Sequence, residues 1–294
     1  MKRHPILFAF VLLILMAMVF SAVVFSVSAL SGKRKSLLVS ERVGVVTVEG
    51  VITDARETVQ QLDELGKDDS IRAVVVRIET PGGAVAPSQE IYGAVRELKK
   101  KKKVVASIGS IGASGGYLIA CAADRIVANS GSITGSISTV MHLLNAEGLL
   151  NKIGLKPSVI KSGKYKDIGS PSREITPEER ALLQAVIDDM NDDFMETIAA
   201  DRKMSREKVK AIADGRIFSG RQAKQAGLVD ELGDMNYAIG LAGTMSGMKG
   251  KPEAVYSGKK KSYWDILFKS SLSALVSEWK NQEARPAGAY YLYE

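Results

Sequence analysis

The sequence predicts an α/β protein, layered or spiral, built from strand, loop and helix units and tethered by one N-terminal membrane span. Two observations predict this class. Segments rich in β-branched residues alternate with segments of helical period over residues 42–250, a pattern typical of α/β domains. Ahead of them, residues 6–30 contain no charged side chain, and a membrane-spanning helix needs roughly 20 apolar residues.

The N-terminal stretch is predicted to be a retained anchor rather than a cleaved signal peptide. The apolar core of a signal peptide is only about 7–15 residues long, which is shorter than the uncharged run at residues 6–30. Basic residues flank the run on both sides, so charge alone does not settle its orientation. The simpler arrangement keeps the short basic tail, residues 1–5, in the cytoplasm and exports the body through a polar linker at residues 31–41.

Charge argues against nucleic-acid binding. The formal net charge is +7, but five basic residues belong to the flanks of the predicted span: Lys2, Arg3, Lys33, Arg34 and Lys35. The rest of the chain then carries 35 basic against 33 acidic side chains, which is close to neutral. With two histidines and one cysteine, we expect no metal site and no cofactor.

The main folded domain is predicted over residues 42–250. Strands are expected at residues 43–53 and 71–80, with a helix at 57–68 between them. A further helix is expected to begin at Pro87, before a strand at residues 103–110.

The longest predicted helix covers residues 176–202. Thr176 is placed to cap it, with Pro177 at its first position and Glu179 three residues after the cap, which is the pattern of a capping box. Apolar residues at spacings of three and four predict one buried stripe, formed by Leu182, Leu183, Val186, Ile187, Met190, Phe194 and Ile198.

The C-terminal part, residues 251–294, is predicted to hold a strand, an amphipathic helix and a flexible tail. The helix covers residues 262–280 and places both tryptophans on one face. It could dock on a neighbouring subunit or lie on a membrane surface.

The segment "GSIGASGGYLIACAAD" at residues 109–124 raises two hypotheses for Ser114. Serine between glycines is a common helix N-cap. Glycines also let backbone N–H groups approach a reacting carbonyl, as an acyl-transfer nucleophile requires. The turn at Gly82 and Gly83 has the same ambiguity, because it could supply an oxyanion donor or be a plain tight turn.

A serine nucleophile needs a base to take its proton. His4 precedes the predicted span, and His142 lies among apolar neighbours in a predicted helical run, where a structural role is the simpler interpretation. Lysine is therefore the candidate base, although its pKa must fall from about 10.4 to about 7. Lys161, Lys164 and Lys166 cluster after a strand-like segment at residues 156–161, and a solvated basic loop is the alternative interpretation.

Four motifs occur in a fixed order: "TPGG", "GASGGYLIACAAD", "GSITGSIS" and "SGKYKDIGSPSRE". Together they resemble the signal peptide peptidase A family in its short, one-domain form, over about residues 42–245. The resemblance implies a Clp-protease/crotonase-like spiral of repeated β-β-α units, preceded by one transmembrane helix. It implies a Ser/Lys serine endopeptidase with no metal and no cofactor.

By motif, the resemblance makes Ser114 the nucleophile and Lys166 the general base. Gly83 and Gly115 would supply oxyanion N–H groups, and Ser136 would orient the lysine amine. Only the motif register distinguishes Lys166 from Lys164. Family members often carry glycine where this chain has Ser138, which bears on the shape of the neighbouring pocket.

The resemblance also implies a homo-oligomeric ring or bowl whose active sites are shared between protomers. Its substrates would be cleaved signal peptides and other short or unfolded exported polypeptides, met on the outer side of the bacterial cytoplasmic membrane. A related protease specific for a membrane partner such as a stomatin-like protein, or a non-catalytic peptide-binding scaffold, are the alternatives.

Overall fold

The computed structural model describes residues 13–22, 41–258 and 290–292. In chain order its elements are β1 (Arg42–Glu49), α1 (Arg56–Lys67), β2 (Ile71–Thr80), β3 (Gly82–Ala84), α2 (Val85–Lys99), β4 (Lys103–Ala113), α3 (Gly115–Cys121), β5 (Arg125–Ala128), β6 (Ile133–Gly135), α4 (Glu147–Lys152), α5 (Pro177–Arg202), α6 (Arg206–Lys210), β7 (Ile217–Ser219), α7 (Gly220–Gln225), β8 (Glu231–Leu232), α8 (Met235–Met245), β9 (Glu253–Tyr256) and β10 (Tyr290–Leu292).

The β-branched segments form the centre of an eight-stranded sheet. Strands β9, β1, β2 and β4 lie side by side and parallel. The long strand β4 then pairs on its other edge with β5 through its first half and with β6 through its second half. β7 closes this edge in antiparallel orientation, and β8 pairs with β5. Because the central strands are parallel, their carboxyl ends lie at one edge of the sheet, where β4 leads into Ser114.

Apolar side chains cover both faces of the central strands. Val43, Val45 and Val75 pack against α8, whereas their alternate neighbours Val74 and Val76 pack in a larger core that includes side chains of α2, α3 and α5. Successive residues of a strand point to opposite faces, so burial of both gives the continuous β-branched runs seen in the sequence. The expected α/β fold with a parallel sheet is confirmed.

Most of the predicted elements agree with the structure, with shifts at their ends. The strand expected at residues 43–53 ends at Glu49, and β4 runs three residues past the predicted end at position 110. The helix expected from Pro87 begins at Val85. The segment at residues 156–161 contains no strand, so the strand-like interpretation of that segment was wrong. Its side chains are exposed throughout, and it lies beside no strand edge in the described part of the chain.

Helix α5 begins as predicted and packs differently. The Thr176 hydroxyl accepts from the Glu179 N–H, and the Glu179 carboxylate accepts from the Thr176 N–H, which confirms the capping box. The predicted stripe is buried only in its C-terminal half, at Phe194 and Ile198, while Leu182 is 43% exposed. The first half of α5 therefore presents its apolar residues outside the core of this chain.

Two predicted segments lie largely outside the described residues. Residues 13–22, from the predicted anchor, form a helix with exposed side chains. No helix in the described ranges is both long and apolar enough to cross a membrane. The predicted amphipathic helix at 262–280 falls in a range that the structure does not describe.

Candidate active site

Ser114 lies at a sharp turn between β4 and α3. Its φ is +52°, in the left-handed region that side chains other than glycine rarely adopt. The residue is fully buried, and its hydroxyl has no hydrogen-bond partner in the part of the chain that the structure describes. Ser114 occupies the N-cap position of α3, yet its side chain makes no cap hydrogen bond. The capping hypothesis therefore does not explain this serine.

A second strained serine adjoins the first. The Ser114 N–H donates to the Gly135 carbonyl at 2.8 Å, and the Ser136 N–H donates to the Arg216 carbonyl at 2.8 Å. Ser136 also has a positive φ, +50°, and is 5% exposed. Since β6 pairs with the end of β4, the fold brings these two hydroxyl-bearing turns together.

The Gly83 backbone faces an extended segment of the chain. The Ile52 N–H donates to the Gly82 carbonyl at 2.9 Å, and the Ala84 N–H donates to the Ile52 carbonyl at 2.8 Å. Backbone groups alternate between the two edges of a strand, so the N–H and C=O of Gly83 point to the opposite edge. On that edge β10 pairs antiparallel with β3, and Tyr291 lies opposite Gly83.

Glycine is required at position 83. A Cβ atom there would lie 2.1 Å from the Ile52 carbonyl oxygen, which is an impossible contact. The buried Thr80 hydroxyl supports the same turn, because it accepts from the Gly82 N–H at 3.0 Å and donates to the Gly50 carbonyl. The sequence analysis did not single out Thr80, although it opens the "TPGG" motif.

Two of the three clustered lysines form ion pairs, and the third forms none with the described residues. Lys161 is bonded to Asp167, and Lys164 pairs with Glu178 at 2.5 Å. The bond to Glu178 raises the pKa of Lys164 above its ordinary value, which makes Lys164 a poor base. Lys166 forms no ion pair or side-chain hydrogen bond with any described residue. This geometry, independent of motif register, favours Lys166 over its neighbours.

Among the described residues, no hydrogen bond joins the side chains of Lys166 and Ser114. Lys166 is exposed, in a turn where its N–H donates to the Gly163 carbonyl at 3.1 Å, and the Ser114 hydroxyl has no partner. His142 is also exposed, and residues 141–146 contain no helix, so the predicted helical run was wrong there.

Burial raises the pKa of the Cys121 thiol to about 12, which disfavours a thiolate nucleophile.

Comparison with known proteins gives the family. A model described as peptidase family S49 matches residues 96–249, and a model of Clp protease matches residues 29–133. The chain belongs to peptidase family S49. As a member of this family it is a serine protease with a mixed α/β, Clp-protease-like fold.

Relatives of this S49 peptidase carry protease names. A protein from Synechocystis named as a protease is 47% identical over 71% of this chain and 76% of its own length. A protein from Methanocaldococcus jannaschii, also named as a protease, is 38% identical over 81% of each chain. A protein from Enterococcus faecium named as signal peptide peptidase SppA is 33% identical over 66% of this chain and 60% of its own. Among solved structures, a ClpP1 mutant from Listeria monocytogenes aligns with 69% of this chain and 96% of its own at 18% identity, with a TM-score of 0.47.

Proposed function

We propose that this S49 peptidase is a membrane-anchored serine endopeptidase that uses Ser114 and Lys166 to degrade cleaved signal peptides and other short or unfolded exported polypeptides. Its catalytic domain would lie on the outer side of the bacterial cytoplasmic membrane. The observation that carries the proposal is Ser114 itself. Its buried hydroxyl has no hydrogen-bond partner among the described residues and its φ is strained, and such positions cluster at active sites.

In the proposed reaction, the Ser114 hydroxyl attacks the peptide carbonyl while the Lys166 amine takes its proton. The N–H groups of Gly83 and Gly115 stabilise the oxyanion. The lysine then returns the proton to the leaving amine, and water hydrolyses the acyl-enzyme. Ser136 orients the amine. The Gly83 N–H suits this role because it points away from Ile52 and towards the edge where β10 pairs.

The pairing of β10 with β3 supports a peptide substrate. An extended peptide that adds a strand to an exposed edge gains affinity from main-chain hydrogen bonds without a fixed side-chain requirement. Tyr290–Leu292 uses the β3 edge in this manner, antiparallel to Gly82–Ala84. A substrate in the same register places one carbonyl opposite Gly83, where the oxyanion donor is proposed.

Exposed apolar residues support a shared active site in a homo-oligomer. Between β6 and α5 lies an arm with little regular structure, residues 141–175. Within the arm, Leu144, Leu149 and Ile153 are at least 60% exposed, and Ile160 is fully exposed. Several large, exposed apolar side chains on one segment favour a protein interaction surface. An arm that docks on a neighbouring protomer would carry Lys166 to that protomer's Ser114.

A mixing experiment with the full-length protein tests both halves of the proposal. Hydrolysis of an apolar signal-peptide fragment is measured for wild type, Ser114→Ala, Lys166→Ala and an equimolar mixture of the two variants after dissociation and reassembly. We expect both variants to be inactive and the mixture to recover part of the activity, because some sites then combine an intact Ser114 with an intact Lys166. Full activity of Lys166→Ala would refute the dyad. Two inactive variants with no recovery in the mixture would refute the shared site alone.

A further inference from the structure

Four charged side chains next to Lys166 are bonded to one another. Lys161 and the Arg173 Nε donate to different oxygens of Asp167, the latter at 3.0 Å. The two terminal nitrogens of Arg173 donate to the two oxygens of Glu179 at 2.6 and 2.8 Å. A guanidinium that holds a carboxylate through two parallel bonds is fixed in orientation. Arg173 thereby joins the Lys166 turn to the first turn of α5.

The two carboxylates of this charge group, Lys161, Asp167, Arg173 and Glu179, are mostly buried, and its four charges sum to zero. The Asp167 side chain is 13% exposed and that of Glu179 is 5% exposed, so solvent screens their charges weakly. The Arg173 bond, with that of Lys161, holds the pKa of Asp167 well below its usual range. Asp167 is therefore an anion at every working pH, directly adjacent in sequence to Lys166.

We propose that Arg173 is a positioning residue that, together with Lys161, occupies both Asp167 oxygens and so leaves Lys166 beside a charge-balanced group. The inference rests on the proposed role of Lys166 as general base. A lysine can act as a base near neutral pH only if no carboxylate stabilises its ammonium form. The adjacent Asp167 would do so if its two cationic partners were not in place.

The turn and the elements around it carry further titratable and charged groups: Lys164, Tyr165, Glu178, Glu147, Lys152, Glu174, His142 and Arg180. Lys164 and Glu178 balance each other in their own ion pair. The other side chains are the same in the wild type and in every variant with Arg173 or Asp167 replaced. A change in the titration of Lys166 in such variants therefore reports on the charge group itself.

The test is the pH dependence of kcat/KM for a signal-peptide fragment with the full-length protein, because its acid limb reports deprotonation of the base in the free enzyme. Arg173→Gln leaves the group with one net negative charge, which favours the ammonium form of Lys166. The acid limb should therefore shift to higher pH by about one unit, with about tenfold lower kcat/KM on the acid side. Asp167→Asn leaves one net positive charge, so the limb should move down. The double variant is balanced again and should return the limb to its wild-type position.

Two further variants separate charge from structure. Arg173→Lys keeps a cation beside Asp167 and should keep the wild-type limb. Lys67→Gln removes one charge of an exposed pair with Asp63 at the end of α1, near the opposite edge of the sheet from Ser114, and should leave the profile unchanged.

Opposite shifts in the two single variants with restoration in the double variant establish the inference. An unmoved limb in Arg173→Gln overturns it. If Arg173→Gln is inactive at every pH, the double variant decides, since an active double variant with a wild-type limb supports the inference and an inactive one overturns it. Activity that persists in Lys166→Ala overturns the proposed function instead.

Discussion

Replacing Ser114 by alanine should remove activity and stabilise the fold. The Ser114 side chain is fully buried and its hydroxyl has no partner, and an unsatisfied buried polar group costs about 1–3 kcal/mol. Alanine keeps the Cβ atom and the backbone conformation, so the variant removes only the hydroxyl. We expect a gain of roughly 1–3 kcal/mol, with about 2–4 °C in Tm for each kcal/mol in a protein of this size.

The experiment uses a background in which Lys166 is alanine, so that no lysine amine from a neighbouring protomer satisfies the hydroxyl. Urea unfolding of the full-length protein is compared for Lys166→Ala and for Lys166→Ala with Ser114→Ala. The same substitution in the wild-type background should give a smaller gain. The difference between the two backgrounds is the coupling energy of serine and lysine.

Ser132→Ala is the matched control. Ser132 is 1% exposed, and its hydroxyl donates to the Gly109 carbonyl and, at 3.3 Å, to the Ile108 carbonyl. Loss of a satisfied hydrogen bond should destabilise the fold by about 0.5–1.5 kcal/mol, which is the opposite sign. If Ser114→Ala and Ser132→Ala are destabilised alike, the Ser114 hydroxyl is satisfied in the folded protein and the reasoning is wrong.

Changes at three other contacts should have measurable effects on activity or stability. Gly83→Ala should abolish peptide hydrolysis and lower the urea midpoint, because its Cβ would lie 2.1 Å from a backbone oxygen. Gly93 in α2 has open space around it, so Gly93→Ala should raise the free energy of unfolding by about 0.5–1 kcal/mol. Equal effects of the two substitutions would contradict the close approach at Gly83. Burial alone would raise the pKa of Asp230, but the hydrogen bonds from Arg202 and from the Ile126 N–H, with the nearby arginine charges, together lower it. The stability that Asp230 contributes is therefore present above its unfolded pKa and lost as pH falls through the folded value. The wild-type advantage over Asp230→Asn in urea unfolding should therefore be larger at pH 7 than at pH 3, and a constant difference would exclude this linkage. Deleting residues 290–294 should lower KM for added peptides at unchanged kcat, because β10 no longer occupies the β3 edge; an unchanged KM would show that the tail and the substrate do not compete.

The central strands, the start of α5 and the glycine-flanked turn at Ser114 could be predicted because their signals are local. Unbroken β-branched runs need burial on both faces, and the structure supplies it for β1 and β2. The capping box of α5 depends on residues three apart, so the sequence contains all of it. The position of Ser114 among glycines likewise follows from a short motif, because close backbone packing at the turn excludes larger residues: a Cβ at Gly116 would lie 2.7 Å from the Thr80 side chain.

The arm at residues 141–175 could not be predicted in the same way. Its apolar residues suggested a helix around His142 and a strand at residues 156–161, but neither forms. Apolar periodicity indicates that one face of a segment is buried. It does not distinguish burial in the core of the same chain from burial against another molecule. The exposed first half of α5, at Leu182 and Val186, is misleading for the same reason. The partners of Asp167 were missed because Arg173 and Lys161 lie six residues away on either side, without regular structure to predict the contact.

The two proposed catalytic groups differ in how the fold holds them. Ser114 is fixed by the sheet, through β4 and the Gly135 carbonyl, and its strained backbone is stabilised by a buried core. Lys166 lies on an exposed turn whose order depends on the Arg173 bonds to Asp167 and Glu179. Under the proposed function, a base that needs the surface of a neighbouring protomer to reach the nucleophile would leave the single chain inactive. In the proposed assembly, the step that completes the active site is thus the docking of the arm, and protease activity should depend on protein concentration more steeply than folding does.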